Sequence, residues 1–203
     1  MPVVEVFADI ACPFTHVGLI RFVEERKLHD GDGPTLRVRC WPLEVVNGEP
    51  LDAEFIAAEI EDLKDQVSPD LFAGFDPAEF PSSSLPAFAL AAAAYDRDLE
   101  TGEAVSLELR HRLFERGQDV SDPEVLRAVA EAHGLSGADL ADTQAALADH
   151  EDGRGRGVIG SPHFFTPGGG FFCPALEIER VDDHLHITVD QSGFEEFMEA
   201  CFL

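Results

Sequence analysis

Hydrophobic residues crowd the first strand-length stretch of the chain. Val3, Val4, Val6 and Phe7 are interrupted only by Glu5, the pattern of a buried strand over residues 3–8. Past Pro13 the spacing lengthens. Val17, Leu19, Ile20, Phe22 and Val23 supply the apolar face of a helix that runs to Leu28, and Asp30-Gly31-Asp32-Gly33-Pro34 ends it in a turn. Residues 35–42 then alternate, with Leu36, Val38 and Cys40 on one face and Arg37, Arg39 and Trp41 on the other, which predicts a second strand. Strand, helix and strand so close together form a βαβ unit with parallel strands and a right-handed crossover.

From Leu51 to His150 the pattern is helical. The Ala-rich run 86–95 has strong helix propensity, and 103–116 carries Leu107, Leu109, Leu113 and Phe114. Asp122-Pro123 reads as a cap with proline at the first helical position, ahead of Val125, Leu126 and Val129. Ser136 with Asp139 resembles a capping box before a helix over 140–148. Strand signals return at 161–166, followed by the turn Pro167-Gly168-Gly169-Gly170, a strand over 171–178 and an extension of that hairpin over 184–189. Phe194, Phe197 and Met198 mark a closing helix over 193–202. The order β-α-β, helical block, β-β, α predicts an α/β protein with the thioredoxin-like fold and a large helical insertion between its βαβ and ββα halves. Residues 1–46 and 157–203 then form the thioredoxin-like domain, and 47–156 the inserted helical domain.

Composition narrows the partners. The 203 residues hold 14 Lys and Arg against 40 Asp and Glu, a formal net charge of −26. Such a surface repels phosphate backbones and anionic lipid, so neither nucleic acid nor a membrane is expected as a partner. The chain opens directly on strand-like sequence with no leader pattern, and no apolar run is long enough to span a bilayer, so a cytoplasmic location is expected. The cysteines, Cys12, Cys40, Cys173 and Cys201, are widely spaced and show neither a CxxC nor a metal-ligand pattern. Structural disulfides and a metal site are therefore not expected, and any chemistry rests on a reactive thiol.

Cys12-Pro13 sits where the first strand gives way to its helix. A thiolate there faces unpaired backbone N–H groups and the positive end of the helix dipole, which predicts a depressed thiol pKa. Proline suits the first helical position because its missing N–H costs nothing there. Far along the chain, Gly157-Val158-Ile159-Gly160-Ser161-Pro162 puts a proline at the mouth of a strand. A cis Ser161–Pro162 bond would bring its backbone across the sheet from Cys12.

Taken together, Phe7-Ala8-Asp9-Ile10-Ala11-Cys12-Pro13-Phe14-Thr15-His16, Trp41-Pro42-Leu43 and the 157–162 loop resemble the DsbA family. The likeness is to its cytosolic branch, which is also similar to kappa-class glutathione transferases and hydroxychromene-carboxylate isomerases. Residues 119–126, Asp119-Val120-Ser121-Asp122-Pro123-Glu124-Val125-Leu126, resemble that branch as well. The resemblance implies an attacking cysteine at Cys12 and a cis-proline at Pro162. Thr15 stands where the dithiol members carry a second, resolving cysteine, and Cys12 stands where the transferases and isomerases usually carry serine. The motif is therefore a monothiol one.

Cys40 lies on an apolar strand face and Cys201 near the end of the last helix, so neither is a candidate reactant. Cys173 is the candidate resolving thiol. A four-residue turn at 167–170 pairs Thr166 with Phe171 and Phe164 with Cys173, returning Cys173 to the sheet end that carries Pro162 and Cys12; a disulfide needs Cα atoms within about 7 Å. Thr15 is expected to donate its hydroxyl to a Cys12 thiolate, and Asp9 to cap the loop. Pro13, Phe14, His16, Ser161 and His163 are the substrate-binding candidates, with His16 one turn beyond Cys12 and able to pair with the thiolate or carry its proton. Phe164, Phe165, Phe171 and Phe172 are read as two aromatic core pairs across the hairpin.

These expectations favour a thiol-dependent oxidoreductase acting on a thiol- or disulfide-containing protein or small molecule. No cofactor is bound, and glutathione is the candidate co-substrate. A glutathione-dependent transferase or isomerase is the alternative, and a redox-inactive binding protein the third reading. A homodimer is one option for the assembly.

Overall fold

The computed structural model describes residues 2–28, 33–135, 137–138, 140–182 and 184–203. The capping box expected at Ser136 and Asp139, and most of the turn expected after Leu28, lie outside the described residues. Strand β1 (Val3–Ala8) leads through a short loop into helix α1 (Pro13–Leu28) and back into β2 (Thr35–Cys40), which pairs with β1 in parallel register, Val4 beside Leu36 and Val6 beside Val38. Strands β3 (His163–Thr166) and β4 (Gly169–Phe172) complete a four-stranded sheet of order β2-β1-β3-β4, with β3 antiparallel to both neighbours. Between the halves run α2 (Leu43–Asn47), α3 (Ala53–Gln66), α4 (Leu85–Arg97), α5 (Leu99–Arg116), α6 (Pro123–Ala132) and α7 (Gln144–Arg156). This is the thioredoxin-like α/β fold with a helical insertion.

The alternation of β1 gives each sheet face its own core. Val4, Val6 and Ala8 join Leu19 and Phe22 of α1, Phe164 of β3 and Phe197 of the last helix, α8 (Gln191–Cys201). On the other face Phe7 meets Trp41 and Phe165 edge-on, and α7 lies over them. Cys40 belongs to the large cluster that unites the insertion's helices, including Ile60, Leu109 and Phe114, with Ile10 and Ala11 of the loop after β1.

The outward edge of β2 is closed by side chains from the insertion. The Leu36 N–H donates to Glu103 at 2.7 Å, Val38 N–H to the Tyr95 hydroxyl at 2.8 Å and Cys40 N–H to Asp149 at 3.0 Å. These three residues come from α5, α4 and α7. An otherwise bare strand edge is thereby satisfied without another strand.

Four details differ from the sequence expectation. The β3–β4 turn is the two-residue Pro167-Gly168, so Thr166 pairs with Gly169 and His163 with Phe172. Gly169 adopts φ 144°, and the Thr166 hydroxyl accepts the Gly168 N–H and donates to the Gly169 carbonyl, closing the tighter turn. The strand expected over 171–178 is broken, because Cys173 turns to φ 43° and Pro174 follows. The strands β5 (Leu176–Val181) and β6 (His184–Val189) consequently form a separate two-stranded sheet instead of extending the first. Gln66 of α3 braces that pair, donating to the Leu185 carbonyl at 2.7 Å and accepting from Ile187 N–H at 2.9 Å. Finally, α7 starts at Gln144 and runs to Arg156, later than the helix expected over 140–148.

Gly153 of α7 sits where the helix meets the aromatic face: a Cβ there would lie 2.8 Å from the Trp41 ring and 2.9 Å from that of Phe7. Gly153→Ala should therefore destabilise the fold by about 1–3 kcal/mol despite alanine's better helix propensity. Urea denaturation would check this, an unchanged or raised midpoint counting against the tight packing.

Candidate active site

The loop from Asp9 to Cys12 is held on all sides. One Asp9 carboxylate oxygen accepts the Ala11 N–H at 2.8 Å, and the other accepts from the Leu43 N–H and, at 3.5 Å, from the Ser84 hydroxyl. The Asp9 N–H donates to Ser161 Oγ at 2.9 Å, and its carbonyl accepts from Arg110 Nη2 at 3.1 Å. Asp9 thus caps the loop as expected. It is also fully buried, and burial holds its carboxyl up to about 6 against the two backbone donors and Arg110.

Pro13 opens α1 directly after Cys12, and both are buried. The Ser161–Pro162 peptide is cis, and Gly18 of α1 approaches the Pro162 ring. The Cys12 thiol donates to the Ser161 carbonyl at 3.3 Å, while Thr15 Oγ1 and Ser161 Oγ share a hydrogen bond of 2.8 Å. The structure therefore gathers Cys12, Pro13, Thr15, Ser161 and Pro162 at one end of the sheet.

The thiol's ionisation runs against expectation. Burial pushes the Cys12 thiol up from its ordinary value, outweighing the Thr15 hydroxyl, the Ser161 hydroxyl and the Thr15 N–H, which all favour the thiolate. The thiol–carbonyl hydrogen bond to Ser161 needs the proton on sulfur, which points the same way. A helix N-terminus favours charge, but at a residue only 3% exposed the lost solvation is larger.

Cys173 lies just past β4, where its N–H donates to the Pro162 carbonyl at 3.0 Å. It is buried, and burial first, with Cys12 second, drives its thiol up to about 12. Cys40 and Cys201 are buried and free, Cys40 in the core as expected.

His16 faces away from the thiol. Its ring packs on Phe114 and Phe72, and its Nε2 lies 2.7 Å from Glu115, whose carboxylate also accepts the N–H groups of Phe72 and Ala73. The geometry makes it a brace between α1 and the insertion instead of a partner for Cys12. His163 stacks on Phe165 at 4.8 Å and its Nδ1 accepts the Ile159 N–H, so it fixes the loop before Pro162. Phe14 is partly buried against the large core. The aromatic pairs also differ: Phe164 does face Phe171, but Phe165 faces Gly170, and Phe172 is 50% exposed. Phe172 and the 72% exposed Ile159 form an apolar rim beside the Pro162 loop. A groove of about 610 Å³ opens next to it between Phe172, Cys173 and the β5–β6 pair.

Two site residues escaped the sequence reading. Arg110 projects from α5 to the Asp9 carbonyl, and Glu115 anchors His16. Arg110 had a visible signal, since it follows Ser106 by one turn and lies beside Leu109, Leu113 and Phe114 on the buried face of its helix. Glu115 had none.

A single thiol ahead of the first helix of this sheet, facing a cis-proline loop, is the arrangement of a thioredoxin-fold thiol protein lacking the second motif cysteine. The chain belongs to the DSBA-like thioredoxin domain family, which it matches over residues 3–186. No curated protein matches it. Its fold is similar to a putative protein disulfide isomerase from Nitrosomonas europaea (TM-score 0.61, 14% identity, 98% of each chain covered). It is also similar to a 2-hydroxychromene-2-carboxylate isomerase (0.55, 13%, covering 84% of this chain and 88% of that one). The cytosolic disulfide reductase DsbM from Pseudomonas aeruginosa aligns at 16% identity over 97% of each chain, with a TM-score of 0.48.

Alkylation of Cys12 should accelerate with pH around a midpoint above the usual thiol value, and Thr15→Val, which removes a donor to the thiolate, should raise that midpoint further. Peptide-resolved mass spectrometry reads both; a midpoint below the free-thiol value would show that the helix end dominates. Asp9 yields a second expectation. Its folded pKa lies above its unfolded value, so its contribution favours the fold below about pH 4 and is lost as pH rises through about 6, on the order of 3 kcal/mol in total. Asp9→Asn should flatten that part of a stability–pH curve, and an unchanged slope would mean the carboxyl titrates normally.

Proposed function

We propose that the protein is a thiol–disulfide oxidoreductase that works through Cys12 alone, with a small thiol such as glutathione as co-substrate. The observation that carries the reading is the sulfur of Cys12 held 3.3 Å from the Ser161 carbonyl, at the cis bond to Pro162. A substrate disulfide laid along that backbone meets the sulfur end-on. The Cys12 thiolate attacks one substrate sulfur, the substrate S–S bond breaks, and the other half leaves as a thiolate that takes up a proton. A second thiolate, from the small thiol, then attacks the substrate sulfur of the mixed disulfide; the bond to Cys12 breaks, and the electron pair of that bond returns Cys12 to the thiolate. One disulfide is exchanged for another, and one thiol is consumed for each released.

Several features support an external resolving thiol over Cys173. Thr15 cannot close an internal disulfide, and the Cys173 thiol is buried and carries a pKa near 12, so its thiolate is scarce at neutral pH. The apolar rim of Ile159 and Phe172 suits the unfolded or extended segment around a protein disulfide. We place the activity in the cytosol, where four free cysteines stay reduced. No described helix is long and apolar enough to cross a membrane.

Exchange between a peptide disulfide and glutathione, followed by chromatography, tests the proposal. Cys12→Ser should remove catalysis, about a hundredfold or more, whereas Cys173→Ser should retain the rate within about twofold. Turnover that survives Cys12→Ser, or a Cys12–Cys173 disulfide accumulating during the reaction, would overturn it.

A further inference from the structure

Arg110 is the largest fully buried side chain among the described residues, 1% exposed. Its Nη1 donates to the Ser106 carbonyl and hydroxyl on its own helix, both at 2.9 Å, and Nη2 to the Asp9 carbonyl at 3.1 Å. The Nε–H has no partner among the described residues. As a stability device this is a poor choice, because a desolvated and incompletely bonded cation is costlier than an apolar side chain of similar length. What Arg110 touches explains its place. Asp9 stands three residues before Cys12, and its N–H and carbonyl are bonded to the two parts that define the site: Ser161 of the cis loop on one side, Arg110 on the other.

We propose that Arg110 is a positioning residue for the Cys12 site, reaching from the insertion to fix the thiol loop through the Asp9 carbonyl and setting its positive charge against the Asp9 carboxylate in the field at the sulfur. The inference rests on Cys12 being the reacting thiol.

The charges around the pair come from every element packed there. Asp9 and Glu44 stand at the end of β1 and on α2, and Asp9 disfavours the Cys12 thiolate. Tyr95 of α4 and Cys40 of β2 act on Arg110 together with Asp9 and Cys12. His16 of α1, tied to Glu115, feels Arg110 as well, and Cys173 feels Cys12. Burial brings Arg110 down only to about 10, so it stays a cation at neutral pH. Asp9 and Arg110 therefore pull the thiol in opposite directions, and removing either alone unbalances it.

Iodoacetamide alkylation of Cys12, followed by peptide mass spectrometry, reads this balance whether or not the protein turns over. Asp9→Asn leaves the cation unopposed and should lower the alkylation midpoint by about one pH unit, roughly tenfold more thiolate at a fixed pH below it. Adding Arg110→Met should raise the midpoint again by a similar amount, whereas Arg110→Lys in the same Asp9→Asn protein should keep it low. A purely structural Arg110 would alter stability and leave these midpoints alone, so a well-folded Asp9→Asn/Arg110→Met protein with the midpoint of Asp9→Asn overturns the inference. Should the methionine variant not fold, Arg110→Gln in the Asp9→Asn protein takes its place, and a midpoint equal to that of Asp9→Asn overturns the inference. Shifted midpoints in a protein without disulfide exchange would support Arg110 and overturn the proposed function. Exchange with unmoved midpoints would do the reverse.

Discussion

The hydrogen bond from the Asp9 N–H to Ser161 Oγ joins two segments 152 residues apart, and most of the site hangs on it. Through it the loop ahead of Cys12 and the loop ahead of β3 become one unit. The Ser161 hydroxyl goes on to Thr15 of α1, and the Ser161 carbonyl receives the thiol. On its other side Asp9 is tied to Leu43 at the start of α2, Ser84 beside α4 and Arg110 of α5. One short residue thus ties the strand, the thiol helix, the cis loop and the insertion together. Buried polar groups must find partners, and here nearly every partner is part of the site.

The inserted helices are therefore more than a cover. They satisfy the free edge of β2 with Glu103, Tyr95 and Asp149, bury Cys40 behind that edge, and send Arg110 and Glu115 down to the base of α1. The same burial sets the chemistry. A thiol at a helix N-terminus is expected to ionise easily, yet the neighbours that position Cys12 also strip its water, and desolvation outweighs the hydroxyl and amide donors that remain. A substrate that supplies its own polar atoms along the Ser161 backbone would replace part of that lost solvation.

Much of this was legible from local pattern. Both strands of the βαβ unit, the start and end of α1, and the Cys12 and Pro162 landmarks follow from hydrophobic spacing and two prolines. The β3–β4 register was not, because three consecutive glycines allow several turn lengths and only the Thr166 hydroxyl and the neighbouring Ala200 select the tighter one. That shift of two residues moved Cys173 to sit opposite Pro162 and set Phe172 opposite His163 instead of Phe165. Nor could the role of His16 be read, since helical spacing puts it near Cys12 while the carboxylate it binds lies 99 residues away.

For Cys12 itself, the sequence determined its position at the strand–helix junction, the proline behind it and the threonine in place of a second thiol, because these are fixed by adjacency along the chain. The tertiary structure alone decided the state of the sulfur: which carbonyl it meets, how little water reaches it, and which buried charges, Asp9 and Arg110, act on it. Solvation and electrostatics depend on what surrounds an atom in space, and those surroundings are drawn from β1, α1, α5 and the loop before β3.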